Sequence, residues 1–443
     1  MSLRHRLESG QAASAALDEP PLQDDLKAQL QRQLLERIDL RALEALPPAA
    51  VPDQLRALLD ELLTAAHAAL NEAERRLLLR DIQHEMFGLG PLEPLMADPA
   101  VSDILVNGSR QVYVERHGRL ERCAVRFRDD AHLMKIIDKI VSRVGRRVDE
   151  ASPMVDARMA DGSRVNVVIP PLAIDGPCLS IRRFAVTPLT MDELCRGGSL
   201  TPDIARVLEG LARARVNLLV SGGTGSGKTT LLNVLSGYID AGERIVTIED
   251  AAELQLRQPH VVRLETRPAN IEERGEVTPR ALLRNALRMR PDRIIMGEVR
   301  GAEAIDMLQA MNTGHDGSLA SIHANTPRDA LTRLENMAAM AGIGLPQRAA
   351  RQQVAAALCA VIQLARLSDG RRRVVSVQEI TGMEGDTIAM QEIFAFRQTG
   401  VAADGTVEGY FHATGVRPKF SERLKSFGIA LPDTLFDSTH RYQ

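Results

Sequence analysis

The chain has 443 residues, 44% of them hydrophobic, with 55 Lys+Arg against 58 Asp+Glu and 10 His. That length exceeds one ordinary core and predicts two or three domains, while a net charge of −3 excludes a global attraction to nucleic acid or anionic lipid. With 9 Phe, 4 Tyr and no Trp, stacking platforms for single strands are scarce. Cys123, Cys178, Cys195 and Cys359 form no CxxC pair and no zinc spacing, so reduced thiols are expected. The opening MSLRHRLESGQAASAALDEP lacks the apolar core of a signal peptide. No stretch approaches the roughly 20 apolar residues needed to span a bilayer. A soluble, cytoplasmic protein that reaches a membrane only through partners is expected.

Residues 1–98 read as a helical region, its first 20 residues disordered. LKAQLQRQLLERIDLRALEAL and DQLRALLDELLTAAHAALNEAERRLLLRDIQHEMFGL repeat apolar residues at three- and four-residue steps, and Pro47, Pro48 and Pro52 separate them. The first 90 residues hold 10 Lys+Arg against 15 Asp+Glu, an acidity that the overall balance hides. They read equally as a solvated appendage and as a module that recruits a partner.

From residue 99 to 198 the texture is that of an α+β domain. SDILVNGSRQVYVERHGRLERCAVRF alternates apolar and polar residues between the turn pairs Asn107-Gly108 and His117-Gly118. A helix follows in DAHLMKIIDKIVSRVGR, then strands around an Asp161-Gly162 turn and in CLSIRRF. Gly197-Gly198 is the expected flexible joint to the next domain. Over 199–443, short apolar strands (RVNLLVSG, RIVTIED, HVVRLET, DRIIMGEV, SLASIHA) alternate with helices. Alternation of this kind predicts an α/β domain with a largely parallel sheet. The last 75 residues return to strand-like texture.

The strongest motif is GGTGSGKTT, which matches GxxxxGK[ST] between an apolar strand and a helix. Gly222, Gly223, Thr224, Gly225, Ser226, Gly227, Lys228, Thr229 and Thr230 are the expected cradle of a nucleoside triphosphate. Glycines let backbone N–H groups close on phosphate, Lys228 reaches the outer phosphates, and the Thr229 hydroxyl ligates Mg²⁺. TIEDAAELQL places Glu249, Asp250 and Glu253 at a strand end, where carboxylates order Mg²⁺ or orient water. RMRPDRIIMGEVRG ends its strand in Glu298, a metal- or water-assisting acid, the alternative being an acid paired with Arg300. TGHDGSLASIHAN brackets a strand with His315 and His323, candidates for sensing the γ-phosphate or linking subunits. Metal binding by them lacks a third ligand nearby.

Together these four segments resemble the type II/IV secretion ATPase superfamily, and most closely the CpaF/TadA type that assembles tight-adherence (Flp) pili. The resemblance covers roughly residues 70–430, and the helical extension adds to it. It implies a hexameric ring in which an α+β domain and a RecA-like P-loop domain enclose ATP and Mg²⁺, acting on polytopic inner-membrane platform proteins. The protein is then cytoplasmic and peripheral at the inner membrane. It further implies that arginines of the α+β domain complete the site. The matching segments DARMADGSR and SIRRF supply Arg158, Arg164, Arg182 and Arg183, and Ala160 stands where relatives more often have Pro. On this reading Glu298 supports metal and water, Glu253 positions the water, and no direct nucleic-acid contact is expected. The rival readings are a conjugation-type ATPase, a nucleic-acid motor and a slowly hydrolysing assembly scaffold. Arg371–Arg373 is the one run that favours nucleic acid.

Overall fold

The computed structural model describes residues 71–442 apart from 117, 184–188, 268, 270–273, 343 and 440, together with residues 33, 57, 58, 61, 62 and 64. Most of the acidic stretch expected to be helical, and the disorder expected at its start, lie outside the described residues. The chain divides at 184/185 into two compact units. Among the described residues no helix is long and apolar enough to cross a membrane, and all four cysteines are free.

In the first unit the helix Glu72–Phe87 starts on an Asn71 capping box closed by Glu74. Its last carbonyls are held by the helix Asp130–Arg143. Lys139 Nζ donates to Glu85 O and Met86 O (3.0 and 2.8 Å), and Arg143 donates to Phe87 O. Cations on orphan helix-end carbonyls satisfy groups that the helix itself cannot. Six antiparallel strands follow: β1 (Val101–Asn107), β2 (Val112–Arg116), β3 (Arg119–Arg122), β4 (Met154–Arg158), β5 (Arg164–Val168) and β6 (Cys178–Arg182). They lie in the order β3-β2-β1-β6-β5-β4. Ile104, Val106, Val165, Val167, Leu179 and Ile181 form a core with Leu133, Ile136, Ile137 and Ile140 of the helix. Strand alternation therefore sends their neighbours to the other face. The turns expected at Gly108 and Gly162 are present with φ +66 and +90; His117 lies outside the described residues.

The second unit is built on one ten-stranded sheet. Its strands are β7 (Leu218–Gly222), β8 (Ile245–Glu249), β9 (Val261–Glu265), β10 (Arg293–Val299), β11 (Leu319–Ile322), β12 (Ala360–Arg366), β13 (Arg372–Glu384), β14 (Thr387–Val401), β15 (Val407–Ala413) and β16 (Arg441–Tyr442). The order is β16-β15-β14-β13-β12-β7-β11-β10-β8-β9. The six strands from β12 to β9 pair in parallel, and β12 to β16 pair antiparallel. The strand-like texture of the last residues thus extends the same sheet. Leu218 and Val220 enter one apolar core and Leu219 the other, so helices cover both faces of the parallel part.

The expected joint Gly197-Gly198 is instead a helix terminus inside this unit. Gly198 N donates to Cys195 O, Ser199 N donates to Leu194 O, and Gly198 takes φ +71. These are the two bonds of a Schellman cap, which immobilises the glycines.

The amino ends of the parallel strands are locked by two buried polar groups. Arg293, fully buried at the start of β10, binds both Glu243 oxygens (2.7 and 2.8 Å) and donates to Ala212 O at 2.6 Å. Arg215 adds a second guanidinium to Glu243 at 3.0 Å. Burial alone would raise the Glu243 carboxyl, but the two arginines hold it below its usual range. A Cβ on Gly317 would fall 2.6 Å from Arg293 Nη1, and its φ of +82 also requires glycine. Asn217 donates to Met311 O and Ala357 O and accepts from Gly317 N and Ser318 N. Arg293→Ala is expected to destabilise this unit by about 3–5 kcal/mol, because Glu243 is left buried and under-paired. The measurement is the urea midpoint of this unit's unfolding transition. Arg293→Met with Glu243→Leu, which removes both charges, is expected to recover most of the loss.

Candidate nucleotide site

The strand β7 ends at Gly222, and the helix Lys228–Ser236 begins six residues later. Between them the chain makes a turn that needs glycine twice, at Gly225 (φ +68) and Gly227 (φ +99). Gly222 is also constrained by space: a Cβ there would lie 2.4 Å from Ser226 Oγ and 2.6 Å from Leu364 O. Ser226 Oγ donates to Gly223 O at 2.9 Å and braces the loop from inside. Gly227 is the helix N-cap and offers no side chain, so the first helical N–H groups stay open to an anion. Thr229 and Thr230 stand in that first turn, partly exposed, and Thr224 lies on the exposed apex. The Lys228 ammonium rests on Gly222 O and Gly223 O, both at 3.0 Å. The glycine cradle and open helix end fit a polyphosphate.

Acids gather at the same carboxyl edge of the parallel sheet. Burial pushes the Lys228 ammonium below its ordinary value, while the charges of Glu298 and Glu253 act to raise it and that of Arg300 to lower it. The alternative considered for Glu298 is realised in partial exposure: Arg300 Nη2 donates to Glu298 Oε2 at 2.8 Å and Nη1 pairs with Asp250 at 2.9 Å. Glu303 accepts from Arg300 N and Gly301 N (2.7 and 2.9 Å), fixing the backbone from which Arg300 projects. Arg300 thus joins the acid on β10 to the one that follows β8. Sequence reasoning considered it only as a partner of Glu298.

Glu249, expected beside the metal, has a different environment. It is buried at the end of β8, and its Oε1 accepts from Glu253 N and Leu254 N (2.9 and 3.0 Å). It shapes the loop that carries Glu253. Its Oε2 is buried with no hydrogen-bond partner among the described residues, and burial pushes the carboxyl up to about 7 against the pull of those two N–H groups. Gly297 makes room for it, since a Cβ there would fall 2.7 Å from Glu249 Cγ. Among the described residues no cluster of three His, Cys, Asp or Glu side chains is placed to hold a metal by itself. Mg²⁺ that enters with phosphates needs only one or two protein ligands, and Thr229 and Glu298 fit that role.

The two histidines are separated by the strand between them. Ile322 of β11 pairs with Ser221 of β7 and Val299 of β10, so His323 follows at the carboxyl edge, beside the P-loop and Glu298. His315 precedes β11 at the opposite edge, where its Nδ1 lies 3.2 Å from Ala310 O and its own carbonyl accepts from Ser318 Oγ. The structure does not bring His315 to the phosphate loop.

Within the first unit, Arg158, Arg164 and Arg182 are directly opposite one another across β4, β5 and β6, and the row continues to Asp103. All stand on the sheet face away from the helix core. Arg182 Nε binds Asp103 at 2.9 Å. Arg183 does not join them: its guanidinium donates to Asp98 O and to Val101 O.

A protein-family model described as type II/IV secretion system protein matches residues 85–409. A putative conjugal transfer protein of Mycobacterium tuberculosis is 41% identical over 324 residues, covering 71% of this chain and 91% of that protein. The type IV secretion system protein VirB11 of Brucella suis is 33% identical over 276 residues, 57% of this chain and 76% of its own. The crystal structure of the Brucella suis VirB11 ATPase with sulphate shares 30% identity, with a TM-score of 0.35 over 66% of this chain and 96% of that one. The pilus retraction motor PilT with bound ADP shares 19% identity, with a TM-score of 0.48 over 76% of this chain and 85% of that one. With the P-loop and its acids on one edge of an α/β sheet, the chain belongs to the type II/IV secretion system protein family, as an ATPase with a RecA-like P-loop domain.

Proposed function

We propose that this chain is the ATP-driven motor of a type IV or Flp-like pilus, or of a related protein-secretion apparatus. It works as a hexameric ring docked peripherally on polytopic inner-membrane platform proteins, adding pilin subunits to a fibre or extracting them. The observation that carries the motor reading is the strand register that sets the P-loop, Glu298 and the loop bearing Glu253 at one sheet edge. Lys228 and the helix N-terminus hold the phosphates, and Lys228 exchanges its two carbonyl partners for phosphate oxygens as they arrive. Thr229 and Glu298 would hold the Mg²⁺ that enters with ATP, and the ion would supply charge neutralisation to the phosphates. Glu253 orients the attacking water, on a loop whose backbone Glu249 fixes. Arg158, Arg164 and Arg182 form in the first unit a row of cations of the kind that neutralises developing phosphoryl charge.

A conjugation-type assembly is the second reading, and the name of the 41% identical Mycobacterium tuberculosis relative favours it. The nucleic-acid motor has less behind it, since Arg373 of the one basic run is buried and stacked 4.4 Å from the Phe396 ring centroid.

Lys228→Ala is expected to abolish ATP binding and turnover in an equilibrium binding and phosphate-release assay. Glu298→Gln should retain ATP while slowing hydrolysis about 100-fold or more; unimpaired turnover removes Glu298 from the mechanism. Turnover stimulated by platform protein and not by DNA supports the pilus or secretion motor, and the reverse supports a nucleic-acid motor. Glu249 yields a pH signature. Its folded value of about 7 lies above the ordinary 4.5, so its contribution is complete below about pH 4.5 and is lost as pH rises through 7. The melting temperature of Glu249→Gln relative to the parent should therefore climb between pH 5 and pH 8, and a flat difference would contradict the burial argument.

A further inference from the structure

The basic run Arg371–Arg373 has no role in the site described above, and the structure distributes its members in three directions. Arg371 pairs loosely with Asp369 at 3.8 Å. Arg373 is buried over Phe396 and donates to Val407 O at 3.5 Å. Arg372 turns to the phosphate loop: its Nε donates to Gly225 O at 2.8 Å, and its Cδ lies 3.5 Å from where a Cβ on Gly227 would stand.

The placement follows from strand order. Leu364 of β12 pairs with Gly222 of β7, so β12 runs past the P-loop and Arg366 ends it at the loop apex. Arg372 begins β13 directly opposite Arg366. Leu364 and Val374, two residues inward on each strand, share an apolar core with Leu231 and Leu235 of the P-loop helix. Both arginines therefore emerge on the face that carries that helix. Arg366 Nη1 comes within 3.6 Å of a Cβ position at Gly225. Two guanidinium groups directly opposite each other concentrate positive charge beside the loop apex. The hairpin bearing them is braced from behind, where Asp369 accepts from Val407 N at 3.0 Å.

We propose that Arg372 is a positioning residue of the nucleotide site, with Arg366 as its partner: it sets the P-loop apex in the phosphate-receiving conformation and adds positive charge beside the phosphates. The peptide between Gly225 and Ser226 is planar and trans, so its N–H points away from its C=O. Holding Gly225 O on the guanidinium sends the Ser226 N–H to the other side of the loop. There it makes only a long contact, 3.4 Å to Gly223 O, which a phosphate oxygen readily replaces. The inference rests on the reading of this edge as an ATP site.

The test is titration of the full chain with a fluorescent ATP analogue and Mg²⁺, alongside thermal unfolding without nucleotide. Arg372→Ala is expected to raise the ATP dissociation constant roughly tenfold, the scale of one charge-assisted hydrogen bond. Its nucleotide-free melting temperature should stay near that of the parent, and Arg372→Lys should recover part of the affinity by restoring charge alone. Should Arg372→Ala fail to fold, Arg366→Ala takes its place, with a loss of about threefold or more expected. Parental affinity in a folded variant overturns the positioning role and leaves the ATPase reading intact. A parent chain that binds no ATP overturns both.

Discussion

The second unit depends on the register of its parallel strands, and two buried polar groups at one edge set that register. Hydrophobic contacts alone tolerate a slip along the strand direction, whereas the Arg293–Glu243 pair and the four hydrogen bonds of Asn217 are satisfied in one alignment only. Such groups cost more when mispaired than they contribute when paired, so their effect is chiefly on uniqueness. Glu298 lies five residues along β10 from Arg293, a distance of about 16 Å at strand spacing. The lock at the amino edge therefore decides which acids and which loop meet at the carboxyl edge.

At that carboxyl edge rigidity and readiness are divided among different residues. The glycines of the P-loop have a shape imposed by φ and by lack of space, so the cradle exists before any ligand arrives. The charged side chains are held by exchangeable partners: Lys228 on two carbonyls, Glu298 and Asp250 on Arg300. Contacts of this kind can be exchanged for phosphate oxygens with the backbone in place, an arrangement that keeps reorganisation small. Glu249 is the exception, a buried carboxyl with one oxygen engaged and the other unpartnered. It shapes the acidic loop from beneath.

The first unit follows the same logic with a different fold. One face of its antiparallel sheet is sealed by the helix Asp130–Arg143, and the opposite face carries a row of three arginines brought together by strand pairing. Their sequence positions, spread from 158 to 182, give no hint of a single row. Antiparallel register creates it.

The phosphate cradle was fully legible in the chain because its chemistry is local: strand, glycine turn and helix lie within a dozen residues. The acids at strand ends were legible for a related reason, since a strand in a parallel sheet directs its carboxyl end to the ligand edge. Other features depended on which strands became neighbours. His315 and His323 looked equivalent on either side of one strand, but strand direction sends them to opposite edges. Gly197-Gly198 looked like a joint and is a helix cap, because the carbonyls that its neighbours bind belong to a helix that the glycines terminate. The strand Ala360–Arg366 gave no clear signal, yet its pairing beside β7 carries Arg366 and Arg372 to the P-loop. The amino-acid sequence by itself thus determined the nucleotide chemistry, through short-range spacing and the conformational freedom of glycine. Only the tertiary structure decided which distant charges stand beside that loop, because sheet order and register are settled by contacts between residues far apart in the chain.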